Sequence, residues 1–112
     1  MKLLLLALLL LPPDGDRLRM RVHRDTRQMT TVTVLLAPAE NDRHLFAVAT
    51  SENVIKDSYR QLEGLQSRGP YTFTWRLPDD GIYVIEVSVG DNQGAITAST
   101  QARLVTMPRE GQ

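Results

Sequence analysis

The chain contains no cysteine, which excludes disulfides, thiol catalysis, thiolate metal sites and a lipidated cysteine anchor. It has no net charge either: 13 basic and 13 acidic residues cancel, so a global electrostatic pull toward nucleic acid or an anionic membrane is absent. Histidine is scarce. His23 and His44 are not spaced as a ligand pair, and a metalloenzyme needs three convergent ligands plus an open position. Met20 and His23 lie three apart, which in a strand places them on opposite faces and argues against a copper site. Neither a Gly-x-Ser-x-Gly elbow, a phosphate loop nor a paired-histidine helix occurs. Ser51, Ser58, Ser67, Ser88 and Ser99 have no evident base beside them. Catalysis and a bound cofactor are therefore not expected.

What is present fits one ordinary domain. The 112 residues are 42% apolar and 23% charged, values typical of a soluble globular fold. Met1-Lys2 precedes Leu3–Leu11, leucine throughout except Ala7. A positive start and a short apolar stretch match a secretory leader, and the stretch is too short to cross a hydrocarbon core of roughly 30 Å as a helix. The alternative is an apolar helix or strand of the fold itself. In Pro12-Pro13-Asp14-Gly15-Asp16 only Gly15 offers a small residue for cleavage. The expected organisation is a leader over 1–16, a domain over 17–106 and a tail over 107–112.

From Arg17 the apolar period becomes two, the mark of a half-buried strand. Leu18, Met20 and Val22 share one face of a first strand. Thr30–Ala37 is β-branched and stops at Pro38. Arg43–Thr50 follows, with Phe46 and Val48 on one face and Leu45 and Ala47 on the other. Tyr71, Phe73, Trp75 and Leu77 alternate with Thr72, Thr74 and Arg76. Pro78-Asp79-Asp80-Gly81 turns into a strand carrying Tyr83, Ile85, Val87 and Val89. Asp91-Asn92-Gln93-Gly94 then reads as a hairpin turn. In the last strand Ile96, Ala98, Thr100, Ala102 and Leu104 face one way. Between Ser51 and Pro70 the pattern allows either a short edge strand or a helical turn. Strands punctuated by turns at this spacing predict an all-β, two-sheet antiparallel sandwich of about seven strands.

Asp79-x-Gly81-x-Tyr83-x-Ile85 resembles the corner at the start of strand F in immunoglobulin domains, where a tyrosine hydroxyl bonds back to the backbone. The resemblance spans roughly residues 17–106 and extends to bacterial immunoglobulin-like and fibronectin-type domains that lack the disulfide. It implies that Ile85 and Val34 stand where the paired cysteines would be, and that Phe46 stands near the position of the core tryptophan of strand C. Trp75 is expected to be buried. A Gly-Tyr turn in another antiparallel fold is the competing explanation of the motif.

Two polar groups are candidate contacts. Arg17, Arg19 and Arg21 line one face of the first strand, extended by Arg24 and Arg27, and could hold a polyanion or an acidic glycan. Edge strands also carry outward charge simply to block strand-to-strand aggregation, and the neutral chain favours that explanation. In the implied arrangement the second and sixth loops share one end of the sandwich, bringing Glu40, Asn41 and Asp42 near Asp91 and Asn92. Carboxylates and carboxamides there suit a hard cation or sugar hydroxyls, although the same residues make ordinary turns. Asp79 and Asp80 fall at the opposite end. The sequence thus leads first to an exported, non-catalytic interaction or structural module that contacts another envelope or extracellular protein. A carbohydrate- or calcium-binding module is the alternative, and an enzyme of unfamiliar design the remainder. Neither a nucleic-acid partner nor a membrane span beyond the leader is expected.

Overall fold

A computed structural model describes residues 17–25, 27–78 and 80–106. The expected leader at 1–16, the expected tail at 107–112 and Asp79 of the corner motif lie outside the described residues. Seven strands are present: β1 (Leu18–Arg24), β2 (Met29–Leu36), β3 (His44–Thr50), β4 (Ile55–Gln61), β5 (Tyr71–Arg76), β6 (Gly81–Gly90) and β7 (Ile96–Thr106). They form two antiparallel sheets, β1-β2-β5 and β4-β3-β6-β7. The chain changes sheet between β2 and β3, returns between β4 and β5, and crosses again between β5 and β6. This is an all-β sandwich of immunoglobulin-like build, and β4 lies beside β3 rather than beside β5.

One core lies between the sheets. The three-stranded sheet sends in Leu18, Val32, Val34, Phe73 and Trp75; the four-stranded sheet sends in Leu45, Ala47, Ala49, Tyr83, Ile85, Val87, Val89 and Ala98. Each large apolar side chain so buried contributes on the order of 2 kcal/mol. Val34 and Ile85, the implied cysteine positions, are both fully buried, one in each sheet. Trp75 is 6% exposed, lies roughly parallel to Phe73 with ring centroids 6.3 Å apart, and donates its Nε1–H to Ser58 Oγ at 2.9 Å. Tyr83 is fully buried at the first turns of β6. Gly81 holds φ at +132°, and its N–H donates to Thr106 Oγ1.

Three expectations need correction. Phe46 does not occupy a core position; it is 40% exposed, and Leu45, Ala47 and Ala49 are the inward residues of β3. Both faces of this strand are apolar, so alternation alone does not choose between them. The aromatic bulk of the core is supplied by Phe73, Trp75 and Tyr83, and β3 faces it with one leucine and two alanines. Ile96 is likewise 59% exposed. A register shift at Val89/Gly90 pairs Val89 with Ala98 but Gly90 with Ile96, so Thr97 is an extra residue and the alternation breaks before Ala98. The third correction concerns Asp42, which is 1% exposed and is a structural residue rather than a surface ligand.

The stretch that the sequence left open contains both options. β4 is an edge strand, and a single 3-10 turn follows at Gly64–Gln66. Leu62 is buried beside it, its N–H donating to Arg43 O. Gly64 has φ +60°, and a Cβ there would lie 2.6 Å from Glu40 O. Only glycine satisfies both the left-handed backbone and that close approach. Gly69-Pro70 is a cis peptide bond.

Candidate functional site

The loop end comes together as the topology requires, but its parts have different jobs. Asp42 Oδ2 accepts from Arg17 Nη1 at 3.0 Å and from Ala39 N at 2.8 Å, while Oδ1 accepts from Arg17 Nη2 at 3.3 Å and Thr97 Oγ1 at 3.4 Å. Arg17 Nη1 also donates to Ala37 O. This buried bidentate pair ties the start of β1 and the β2–β3 loop to the start of β7. Arg17 is therefore taken out of the arginine row. Asp91 accepts at Oδ1 from Gln93 N at 2.8 Å and Ala95 N at 2.9 Å. Those backbone bonds hold its carboxyl below the usual carboxylate range, with the nearby His44 adding a smaller push in the same direction. Glu40 is exposed, and its carbonyl accepts from Arg43 Nη1.

What remains open to solvent is a shallow depression lined by Asn41, Arg43, Asp91, Asn92 and Gln93. Its chemistry is carboxamide with one guanidinium. A hard cation would meet the Arg43 charge there and an Asp91 carboxylate already engaged by its own turn. Among the described residues no group of three or more His, Cys, Asp or Glu is gathered closely enough to hold a metal. Hydrogen-bonding to sugar hydroxyls suits the same groups better.

Below the depression lies a feature that sequence reasoning missed. On the outer face of the four-stranded sheet, Phe46 of β3 is paired with Tyr59 of β4, and His44 is the next outward residue of β3. The three rings touch, with centroids 5.2 Å apart for Phe46–Tyr59, 5.7 Å for His44–Tyr59 and 6.0 Å for His44–Phe46. His44 Nδ1 and the Tyr59 hydroxyl are hydrogen-bonded at 2.7 Å. Tyr59 is 47% exposed. Val48, Ile55 and Val84 continue the apolar surface along the face, with Asp57 and Glu86 on either side of Val48. The signal that could have found it is the alternation of His44, Phe46 and Val48, once the inward set of β3 is known.

β4 is fixed by the other face. Its inward residues are polar: Ser58 accepts from Trp75, and Arg60 Nη2 donates to Thr72 O at 2.9 Å while its guanidinium lies 5.1 Å from the centre of the Phe73 ring. These contacts close one side of the sandwich between β4 and β5, and they leave Tyr59 and Ile55 facing out. Arg19 and Arg21, in contrast with Arg17, remain exposed on the outer face of the three-stranded sheet. Asp80 is exposed, and its neighbour Asp79 is outside the described residues. No described helix is long and apolar enough to cross a membrane.

No protein-family profile matches the chain, and no curated protein matches it. A solved structure titled "Myokine structure" superposes on it with a TM-score of 0.52 at 17% sequence identity, covering 81% of this chain and 94% of that one. At that identity the similarity speaks for the sandwich fold alone.

Proposed function

We propose that the chain is an exported, non-catalytic interaction module that engages another envelope or extracellular protein through the outer face of its four-stranded sheet. The observation that carries this reading is the exposed His44–Phe46–Tyr59 cluster. Contact surfaces are enriched in aromatic residues with polar rims, and contiguous exposed apolar surface is uncommon on a domain with nothing to bind. Asp57, Gln61, Glu86 and Gln101 supply the rim here. The placement of β4 beside β3 departs from the constant-type immunoglobulin arrangement and suits the fibronectin-type branch of the resemblance. The Lys2 and Leu3–Leu11 leader supports export to the periplasm, the cell surface or the medium.

The test has two arms. Deleting residues 2–11 should retain the protein in the cytoplasm of an expressing bacterium, whereas the full chain should fractionate with the envelope or the medium. Identical fractionation would refute export. A Phe46→Ser/Tyr59→Ser variant should then lose the crosslinked products that the full chain forms in that fraction, with Trp75 fluorescence unchanged. Unaltered products would remove this face from consideration. A second reading, a neutral carbohydrate seated in the Asn41–Asn92–Gln93 depression, is favoured by the carboxamides that line it. Asn41→Ala/Asn92→Ala would abolish glycan binding in that case and leave the crosslinks intact.

A further inference from the structure

The outer face of the three-stranded sheet is chemically the opposite of the face just described. Reading across the register, Arg19 pairs with Leu35, Arg21 with Thr33 and Thr72, and His23 with Thr31 and Thr74, while Arg76 pairs with Met29 at the far end. A guanidinium column, two threonine columns and a further guanidinium therefore share one surface. No carboxylate points from it. Asp25, which follows β1, accepts at Oδ1 from Arg27 N at 2.7 Å and Met29 N at 3.1 Å, so it is engaged in its own turn.

The arginines of the chain divide sharply by what they touch. Arg17 pairs with Asp42, Arg24 donates to Leu77 O, Arg43 to Glu40 O and Asp42 O, Arg60 to Thr72 O, and Arg76 to Gln28 Oε1. Arg19 and Arg21 make no side-chain hydrogen bond or ion pair among the described residues, a state they share with Arg27, Arg68 and Arg103, but of these only Arg19 and Arg21 stand side by side on one strand face. The hydroxyls of Thr31, Thr33, Thr72 and Thr74 make none either. Beside Arg19 the surface dips into an open depression floored by Leu35, Leu36, Ala37 and Pro70. Charges that only guard an edge need to stand on the edge strand. They do not require hydroxyls across the two strands behind them or the exclusion of every carboxylate from the face. The outer face of the four-stranded sheet mixes Asp57 and Glu86 with Arg103, whereas this face carries arginine and no carboxylate.

We infer that this face binds a linear acidic polysaccharide, with Arg19 and Arg21 holding successive carboxylate or sulfate groups and the threonine grid hydrogen-bonding the sugar hydroxyls between them. Side chains two apart on one strand face stand about 7 Å apart, and β1 and β5 lie about 10 Å apart across β2. The anionic groups of a polymer lying along β1 thus meet a cation at each of several sugars. Guanidinium forks match carboxylate and sulfate oxygens in pairs. A nucleic-acid strand would need aromatic rings for its bases, and every ring of this chain other than His23 is in the core or on the other sheet's side of the molecule. The site is independent of the aromatic face.

Affinity electrophoresis and calorimetry of the full chain would test this, with polygalacturonate as the carboxylated probe and dextran sulfate as the sulfated one. Neutral dextran, single-stranded DNA and phosphatidylglycerol vesicles complete the set. One or both acidic polysaccharides should bind, and which one does identifies the anionic group. Binding should weaken between about 0.01 M and 0.15 M salt, where the screening length falls from roughly 30 Å to 8 Å. Arg19→Ser/Arg21→Ser should weaken it by about tenfold or more, whereas Phe46→Ser/Tyr59→Ser should leave it unchanged and Thr33→Val/Thr72→Val should weaken it at constant salt slope. Unchanged affinity in the double arginine variant would overturn the inference. So would equal binding of neutral dextran, or tighter binding of DNA or vesicles than of either polysaccharide.

Discussion

Thr30 points inward from β2, fully buried, in register with Arg24 on one side and Trp75 on the other. Its hydroxyl oxygen has no hydrogen-bond partner, and Arg24 Nε beside it has none either. A buried hydroxyl without a partner keeps its full desolvation cost, whereas an apolar side chain of the same shape does not. Thr30→Val should therefore stabilise the domain by about 1 kcal/mol in urea melts followed by Trp75 emission. A destabilised variant would mean that the hydroxyl and Arg24 Nε share a bound water. Residues of this kind also mark where the sequence was hard to read. Trp75, Val34 and Ile85 were legible because one face of each strand is plainly apolar. Phe46 was not, because Leu45, Ala47 and Ala49 make the other face of β3 apolar as well, and the strand turns its smaller side chains inward. Asp42 looked like a turn residue because nothing local shows that Arg17 reaches it.

At the scale of the element, β5 and β6 were legible from alternation, whereas β4 was hidden. Its inward residues are Lys56, Ser58 and Arg60 while Ile55 and Tyr59 face out, so its pattern offers no apolar face for a core. Their partners, Trp75 Nε1, Thr72 O and the Phe73 ring, belong to a strand of the other sheet and cannot be seen in a local window. The β6–β7 turn is the reverse case, since Asp91-Asn92-Gln93-Gly94 announces itself. The backbone N–H groups of Ala95 and Gln93 hold the Asp91 carboxyl below its ordinary range, so the folded turn takes up a proton less readily than the unfolded chain. The stabilisation is fully present above the ordinary carboxylate range and is lost as pH falls through the lower, folded value. In an amide chemical-shift titration Gln93 and Ala95 should move together with a midpoint below that range. Asp91→Asn should abolish the movement. A midpoint at or above the ordinary value would show that the two bonds do not persist in solution.

For the whole molecule the question is whether two sheets with opposite outer faces unfold as one unit. The shared core argues that they do, since its residues come from both sheets in comparable number. The Arg17–Asp42 pair adds a polar tie at the loop end, and its two partners are unequally placed: the Arg17 side chain is 19% exposed and that of Asp42 only 1%. Removing one partner of a buried pair strands the other without compensation, and the cost depends on how far the survivor can rehydrate. Asp42→Ala leaves a guanidinium that can turn toward water and still reach Ala37 O. Arg17→Ala leaves a buried carboxylate supported by only Ala39 N and Thr97 Oγ1. Arg17→Ala should thus be the more damaging change, on the order of 3 kcal/mol, with Asp42→Ala costing less. In both variants Trp75 emission, which reports on β5, and far-ultraviolet dichroism, which reports on both sheets, should give coincident transitions. Equal costs would mean that the pair behaves as a surface contact. Separated transitions would mean that the loop-end tie, rather than the shared core, makes the sandwich one cooperative unit.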